Sequence, residues 1–500
     1  MLNFGKFRLV APRVLQIVLI AVIFYGFAIR TVRFANSSLA TDFLSDYGRD
    51  ILVAKHLPAS LNKFIAPASS FSLIPNTPFY FWLIAVGYSA TNSFWGVNGI
   101  FFLLGVLSIG LAFLVGKEFN FTSGLFFAAL VSVNNQLVGA ASFFWQPNSI
   151  PFFTLLWLLL LIKNHKSRTT FTLIAQVVVT FLAIFMHSSA LMLIPMTWFS
   201  WQNWQQKKHF SQKEIALLLL TCIGMLLLWR LLSLLSSPEN SVSANYSLIL
   251  ESLVPSTQQF QMVSDSLLLA LSRVWRTSLL VLICTTSIIL LVNWRRFQNF
   301  QYFFILKTII VGTILYYFFP LPELFQHYLL VIFPLWLFAL ILVFQFSRTR
   351  FIVGLYLMYS IFMNSLLLQK FFYFNHQPFS TPKIVEFIWS HSVSHRKNIS
   401  KILVPDRYCL SHQPVGVNQH CLSEWNSALI WFYLEEISQR DLVILERFGP
   451  NFIPKKRDAN GIIYSVCPVD LATYCESLND VNQKTNVVYE SPDYVVFASQ

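Results

Sequence analysis

The feature that most constrains this chain is the recurrence of apolar runs of about twenty residues, the length a helix needs to cross a hydrocarbon core of about 30 Å. Such runs occur near 14–29, 94–116, 121–143, 148–162, 170–186, 188–202, 214–233, 274–293, 302–320, 325–346 and 351–370, about eleven spans. His187, Ser188, Ser189 and Pro195 divide the stretch from 170 to 202 into two short spans rather than one long helix. With 55% of its 500 residues hydrophobic and 50 phenylalanines, the chain carries more apolar surface than a soluble fold can hide. The sequence predicts a polytopic α-helical membrane protein.

Basic residues set the orientation. Lys6, Arg8 and Arg13 precede the first span, and others follow at Lys117, Lys163, Lys166, Arg168, Lys207, Lys208, Arg295, Arg296, Arg348 and Arg350. All fall on one side if the spans alternate, and the positive-inside rule makes that side the cytoplasm. The N-terminus is then cytoplasmic, and segments 30–93, 234–273 and 371–500 lie outside. The net charge of +13 reads mainly as this signal plus attraction to anionic membrane lipids, with no nucleic acid implied. No small-residue cleavage site follows the first span, and Arg30 and Arg33 come at once, so it reads as a retained signal anchor. The expected location is the plasma or inner membrane.

Near residue 371 the composition changes. Strand-like stretches such as "KILVP", "DLVILERF", "GIIYSV" and "DYVVFA" alternate with helix-like "TPKIVEFIWS" and "NSALIWFYLEE". Residues 1–370 are therefore expected to form the membrane domain and residues 371–500 a small extracytoplasmic α/β domain. Four of the six cysteines, Cys409, Cys421, Cys467 and Cys475, lie in this tail, where an oxidising compartment permits disulfides. The most local pairing joins Cys409 to Cys421 and Cys467 to Cys475; the other two pairings and free thiols stay open.

The outer segment 30–93 concentrates charge in a chain of which only 11% is charged. In "ATDFLSDYGRDILVAKHL", Leu44, Ile51, Val53, Ala54 and Leu57 give an irregular apolar stripe, which predicts an amphipathic helix at the membrane interface. Asp42, Asp46, Arg49 and Asp50 would then face water or a cavity. Asp46 and Asp50, four residues apart, share a helix face, with Arg49 tempering their repulsion. A carboxylate kept ionised at the bilayer edge suits a general base acting on a hydroxyl. A solvated interfacial helix with no catalytic role has the same spacing.

Six stretches in order carry a resemblance: "DYGRD" at 46–50, "APASS" at 66–70, "TPFYFWLIA" at 77–85, "FFWQPNSIPFFTLLWLLLL" at 143–161, "MHSSALMLIP" at 186–195 and "HYLLVIFP" at 327–334. Their order and topology resemble the GT-C membrane glycosyltransferases. The narrower resemblance is to the phospholipid-carrier-dependent family (glycosyltransferase family 39-like) of protein O-mannosyltransferases and the lipid A aminoarabinose transferase. It implies a GT-C-like fold, a sugar donor linked to polyprenyl phosphate, and a protein, lipid or glycan acceptor. It also implies a catalytic aspartate in the first outer loop, for which Asp46 is the best match and Asp50 the second. Where many relatives carry a second aspartate, this chain has Gln146, Pro147 and Asn148. An amide can hold a sugar hydroxyl or phosphate oxygen but is a poor ligand for a hard divalent cation, so no metal cofactor is expected.

A phosphate leaving group calls for cations or donors near the outer face. Arg49, Arg230, Arg273, Arg276, His187, His327 and Tyr328 are the candidates, joined by Gln146 and Asn148 for the sugar or phosphate. Each cation has an alternative as a side chain snorkelling to lipid. The reading is a membrane glycosyltransferase moving a hexosyl or pentosyl unit on the extracytoplasmic face. Its competitors are a transporter or flippase of an amphiphilic substrate, disfavoured by the lack of an internal repeat, and a catalytically inactive GT-C-like scaffold.

Overall fold

The structure, a computed structural model, describes residues 12–35, 45–56, 78–167, 169–198, 211–236, 282, 286, 305–310, 330–344, 350–375, 380–395, 398–405, 422–423, 428–438, 443–445, 452–454, 462–468, 485–490 and 494–499. Among these, the helices of the first three quarters of the chain are α1 (Pro12–Ala35), α2 (Ser45–His56), α3 (Pro78–Thr91), α4 (Phe94–Lys117), α5 (Phe121–Val133), α6 (Asn135–Ala140), α7 (Ile150–Lys166), α8 (Thr170–Met186), α9 (Gln212–Ser236), α10 (Ile332–Phe344) and α11 (Arg350–Asn375). Of the span predicted at 274–293 only residues 282 and 286 are described, both helical, and of that at 302–320 only the helical stretch 305–310.

Among the described residues, two helices, Arg13–Ala35 and Phe94–Lys117, are long and apolar enough to cross a membrane. Shorter apolar helices occur at Phe79–Thr91, Phe121–Val133, Thr170–Met186 and Ile332–Leu342. Many large apolar side chains point outward: Ile17 and Phe24 on α1, Leu220 and Leu227 on α9, Met358 and Phe362 on α11 are each at least 60% exposed. Outward apolar surface on this scale is costly in water and matches lipid chains.

The segment 30–93 holds helix at both ends: α1 continues through Arg30 and Arg33 to Ala35, and 78–91 forms the apolar helix α3, packed against α2 and α4. At 14 residues α3 is shorter than a span. One expectation needs correction, the single span at 121–143. The chain breaks at Asn134, whose backbone is extended (φ −68°, ψ 121°), so that α5 ends and α6 begins. The Asn134 side chain accepts the Leu137 N–H at 3.2 Å and so caps α6.

A helix end inside a membrane domain leaves carbonyls that water cannot reach. Here side chains supply the donors. Arg30, fully buried, donates from Nη2 to the Val131 carbonyl at 2.8 Å and from Nη1 to the Ser132 carbonyl. Asn364 on α11 donates to the Val133 carbonyl. The guanidinium also places positive charge at the negative end of the α5 dipole. α1 reaches this position because residue 26 is glycine: a Cβ there would run into the Ser132 backbone.

The tail adds α12 (Ser380–Ser394) and α13 (Ala428–Ser438) to strands β1 (Ile399–Pro405), β2 (Leu422–Ser423), β3 (Val443–Leu445), β4 (Phe452–Pro454), β5 (Ile462–Pro468), β6 (Thr485–Glu490) and β7 (Tyr494–Ser499). Five of the strands form one sheet in the order β2-β1-β5-β7-β6. β1 and β5 are parallel, which requires the crossover that contains α13, and the other pairings are antiparallel. Ile402, Tyr464, Val466 and Val496 are buried with Ile384, Val385 and Ile388 of α12. Cys467 in β5 is disulfide-bonded. Cys409, Cys421 and Cys475 lie outside the described residues.

Candidate active site

Helix α2 carries the charged stretch singled out in the sequence. It begins at Ser45, so Asp46 occupies its first turn, where the helix dipole favours negative charge. Asp50 follows one turn later on the same face.

Of the two surroundings expected for these charges, water or a cavity, burial excludes bulk water for Asp50 and Arg49, which are 1% and 6% exposed. α2 is packed from two sides, by α3 and by α13, and its residues Ile51, Leu52, Val53 and Ala54 are all buried. An amphipathic stripe assumes one solvated face, and residues 48–54 of α2, about two turns, are all buried.

Burial makes polar partners obligatory. Arg49 donates from Nε to Asp50 Oδ1 at 2.6 Å, with Nη2 2.5 Å from the same oxygen. Tyr80 on α3 donates its hydroxyl to Asp50 Oδ2 at 2.8 Å. Both carboxylate oxygens are thus engaged, one by a cation and one by a phenol. Tyr80 is itself fully buried, edge-on to Phe81 and Phe101. The sequence reading did not single out Tyr80 as a site residue, although it lies within the "TPFYFWLIA" stretch.

The "WQPNS" segment forms a short 3-10 turn, Gln146–Ser149, that opens α7 with Pro147 near its start. Asn98 of α4 accepts the Phe144 N–H at 2.8 Å and fixes the approach to this turn. Asn148 is mostly buried and donates its amide to the Phe143 carbonyl at 3.0 Å. Ser149 donates to the Gln146 carbonyl at 2.9 Å. One half of the Asn148 amide is therefore spent on holding the turn.

His187 ends α8 with an extended backbone and caps the next turn, Ser188–Met192. Its Nδ1 accepts the Ser189 N–H at 3.2 Å and lies 2.9 Å from the Ser189 hydroxyl. The described contacts give this half-buried residue a capping role.

These residues stand on separate elements joined through shared neighbours. α3, which holds Asp50 through Tyr80, packs on α4 and α8; the 146–149 turn also packs on α4 and α8. Arg49 and Asp50 touch directly, whereas Asn148 and His187 are linked to them through these helices. Arg230 lies on α9, with its side chain outside the described residues; Arg273, Arg276, His327 and Tyr328 lie outside them altogether, as do Asp42 and the side chain of Asp46. Among the described residues no three His, Cys, Asp or Glu side chains are grouped to hold a metal. Lys117, Glu118, Lys163 and Lys166 line a cavity at the far end of α4 and α7 from the 146–149 turn, with Lys166 Nζ 3.0 Å from Glu118 Oε2.

No family model matches the chain, and no curated protein sequence does. Solved structures do. ArnT from Cupriavidus metallidurans bound to undecaprenyl phosphate aligns over 96% of this chain and 97% of its own, with a TM-score of 0.54 and 13% identity. The apo state of the same protein aligns over the same shares, with a TM-score of 0.52 and 13% identity. ArnT is an aminoarabinose transferase of the GT-C fold, and the alignment runs through both the helical part and the tail. The chain therefore has the GT-C fold that the order of its sequence motifs resembles.

Proposed function

We propose that this protein is a membrane glycosyltransferase that moves a sugar from a polyprenyl-phosphate carrier to a hydroxyl acceptor on the extracytoplasmic face. The observation that carries the reading is the end-to-end likeness to ArnT combined with a buried, fully engaged carboxylate on α2. A helix facing water would have no need to tie Asp50 to both Arg49 and Tyr80.

The arrangement divides labour between the two aspartates. Asp50 accepts from two donors in the protein interior and so anchors α2 against α3. Asp46, one turn earlier, is the base. The acceptor hydroxyl attacks the anomeric carbon and its proton passes to the Asp46 carboxylate. The bond from that carbon to the phosphate oxygen breaks, and its electron pair leaves with the carrier phosphate. Attack opposite the leaving group inverts the anomeric centre. Arg230, Arg273, Arg276, His327 and Tyr328 are the proposed cations and donors for the departing phosphate, and Gln146, Asn148 and His187 the proposed sugar contacts. The tail covers the site from outside, and the protein resides in the plasma or inner membrane with a cytoplasmic N-terminus.

The test is turnover of a lipid-linked sugar donor by the purified full-length chain, compared with Asp46→Asn. Transfer by the parent and loss in the variant supports the reading. Substrate movement across a liposome membrane without chemical conversion would replace it with a transporter.

A further inference from the structure

The tail and the helix of the candidate site meet at one buried carboxylate. Glu435 on α13 is 1% exposed. Its Oε2 lies 2.8 Å from His56 Nε2 and 3.3 Å from Lys55 Nζ, both in the last turn of α2 and both 16% exposed. A buried carboxylate is costly unless paired, and this one is paired across 379 residues of sequence. Lys55 and His56 also occupy the negative end of the α2 dipole, where positive charge is favoured and where Glu435 balances it. Around the contact, Ile430, Trp431 and Leu434 of α13 are closed from solvent, as are Ile51 to Ala54 of α2. α13 packs in turn on α12, so the contact runs into the body of the tail.

A helix of 12 residues is marginal by itself, so its helicity and orientation come from what packs on it. α2 is held near its middle by Tyr80 of α3 and at its end by Glu435 of the tail. At a rise of about 1.5 Å per residue, Lys55 stands about 14 Å along the axis from Asp46, and a tilt at one end displaces the other. We propose that Glu435 is a positioning residue: the tail uses it to hold the last turn of α2, and thereby sets where Asp46 and Asp50 stand. This rests on reading those aspartates as the site. It makes the tail a determinant of turnover rather than only a cover.

The experiment is hydrogen exchange over α2 in the detergent-solubilised full-length chain, for the parent, Glu435→Gln, Glu435→Asp and Lys55→Met, alongside turnover of a lipid-linked sugar donor. Glu435→Gln keeps the volume and removes the charge. It should speed exchange in α2 by about tenfold while β5 and β7 keep their protection. It should also lower kcat by about tenfold at unchanged KM for the donor, with Glu435→Asp recovering part of both. Lys55→Met probes the contact from its more accessible side and should loosen α2 in the same direction, which covers the case in which a Glu435 variant fails to fold. Unchanged α2 exchange in Glu435→Gln and Lys55→Met overturns the proposal. So does loosening of β5 and β7 together with α2, or a loosened α2 with unaltered kcat. If the parent itself transfers no sugar, the transferase reading fails, while the exchange data still decide whether Glu435 holds α2.

Discussion

Tyr80 on α3 donates its hydroxyl to Asp50 on α2 at 2.8 Å, with both residues buried, so two helices that are 22 residues apart in sequence are joined through the carboxylate at the centre of the candidate site. Arg49 supplies the second donor from the neighbouring position. Among the described contacts, the Arg49 charge and the Tyr80 hydrogen bond compensate the anion locally, with water nearly excluded.

Removing the phenol should therefore be felt twice. Tyr80→Phe leaves a buried carboxylate oxygen short of a donor, which costs about 1–3 kcal/mol. The expected outcome is a lowered thermal midpoint of the detergent-solubilised protein together with reduced transfer. A midpoint matching the parent would show that the hydrogen bond contributes nothing to holding α2.

The two aspartates should separate by phenotype. Asp46→Asn is expected to abolish transfer with little change in stability, because a first-turn position tolerates the amide and loses only the base. Asp50→Asn, deprived of its charge beside Arg49, should lower stability by about 1–3 kcal/mol as well as activity. Donor-lipid binding and thermal melting measured side by side on both variants check this; equal stability losses would remove the division of labour.

Arg30 is expected to be a folding determinant. Arg30→Met strips donors from the Val131 and Ser132 carbonyls at the buried end of α5, at a cost of about 3 kcal/mol for the pair. Yield of folded monomer and the melting midpoint should both fall. Normal yield and melting would mean that other groups satisfy those carbonyls.

Gly26 should resist any enlargement. A Cβ there collides with backbone at Ser132 rather than with a side chain able to swing aside. Gly26→Val should prevent α1 from seating on α5, seen as aggregation on extraction, whereas valine at Gly110, which has open space around it, should be tolerated.

The tail should lose stability on acidification. Burial, and then the charge of neighbouring His395, hold the His391 imidazole below its ordinary pKa of 6.5. Its Nδ1 lies 2.8 Å from the Tyr464 hydroxyl, whose own pKa is pushed up by burial. The folded state therefore binds the proton less readily than the unfolded chain. Its contribution to stability is present above the unfolded pKa and is lost as pH falls from there through the folded value. Hydrogen exchange of β5 followed from about pH 7.5 down to about 5.5 should show this loss, and His391→Phe should reduce it. A flat profile in the parent would contradict it.

Much of this organisation was legible in the sequence. α1, α4, α7, α8, α9, α10 and α11 fall on predicted apolar runs, and the tail's strands β1, β5 and β7 on the stretches read as β, because length, hydropathy and alternation are sums over near neighbours. β6 was not singled out, and α3 was read as part of the outer segment at 30–93. Of the candidate site, the sequence pointed to Asp46, Arg49 and Asp50 but not to Tyr80 or Glu435.

By itself, then, the sequence determined that this chain is built from long apolar helices with a mixed tail, and that charge gathers on α2. Tertiary structure alone decided what that charge touches. Asp50 is satisfied by a tyrosine 30 residues away, the α5 carbonyls by an arginine about a hundred residues earlier, and α2's last turn by Glu435, 379 residues distant from His56. A buried polar group must find a partner wherever the fold brings one, and hydropathy records that a group is polar without recording which distant segment will meet it.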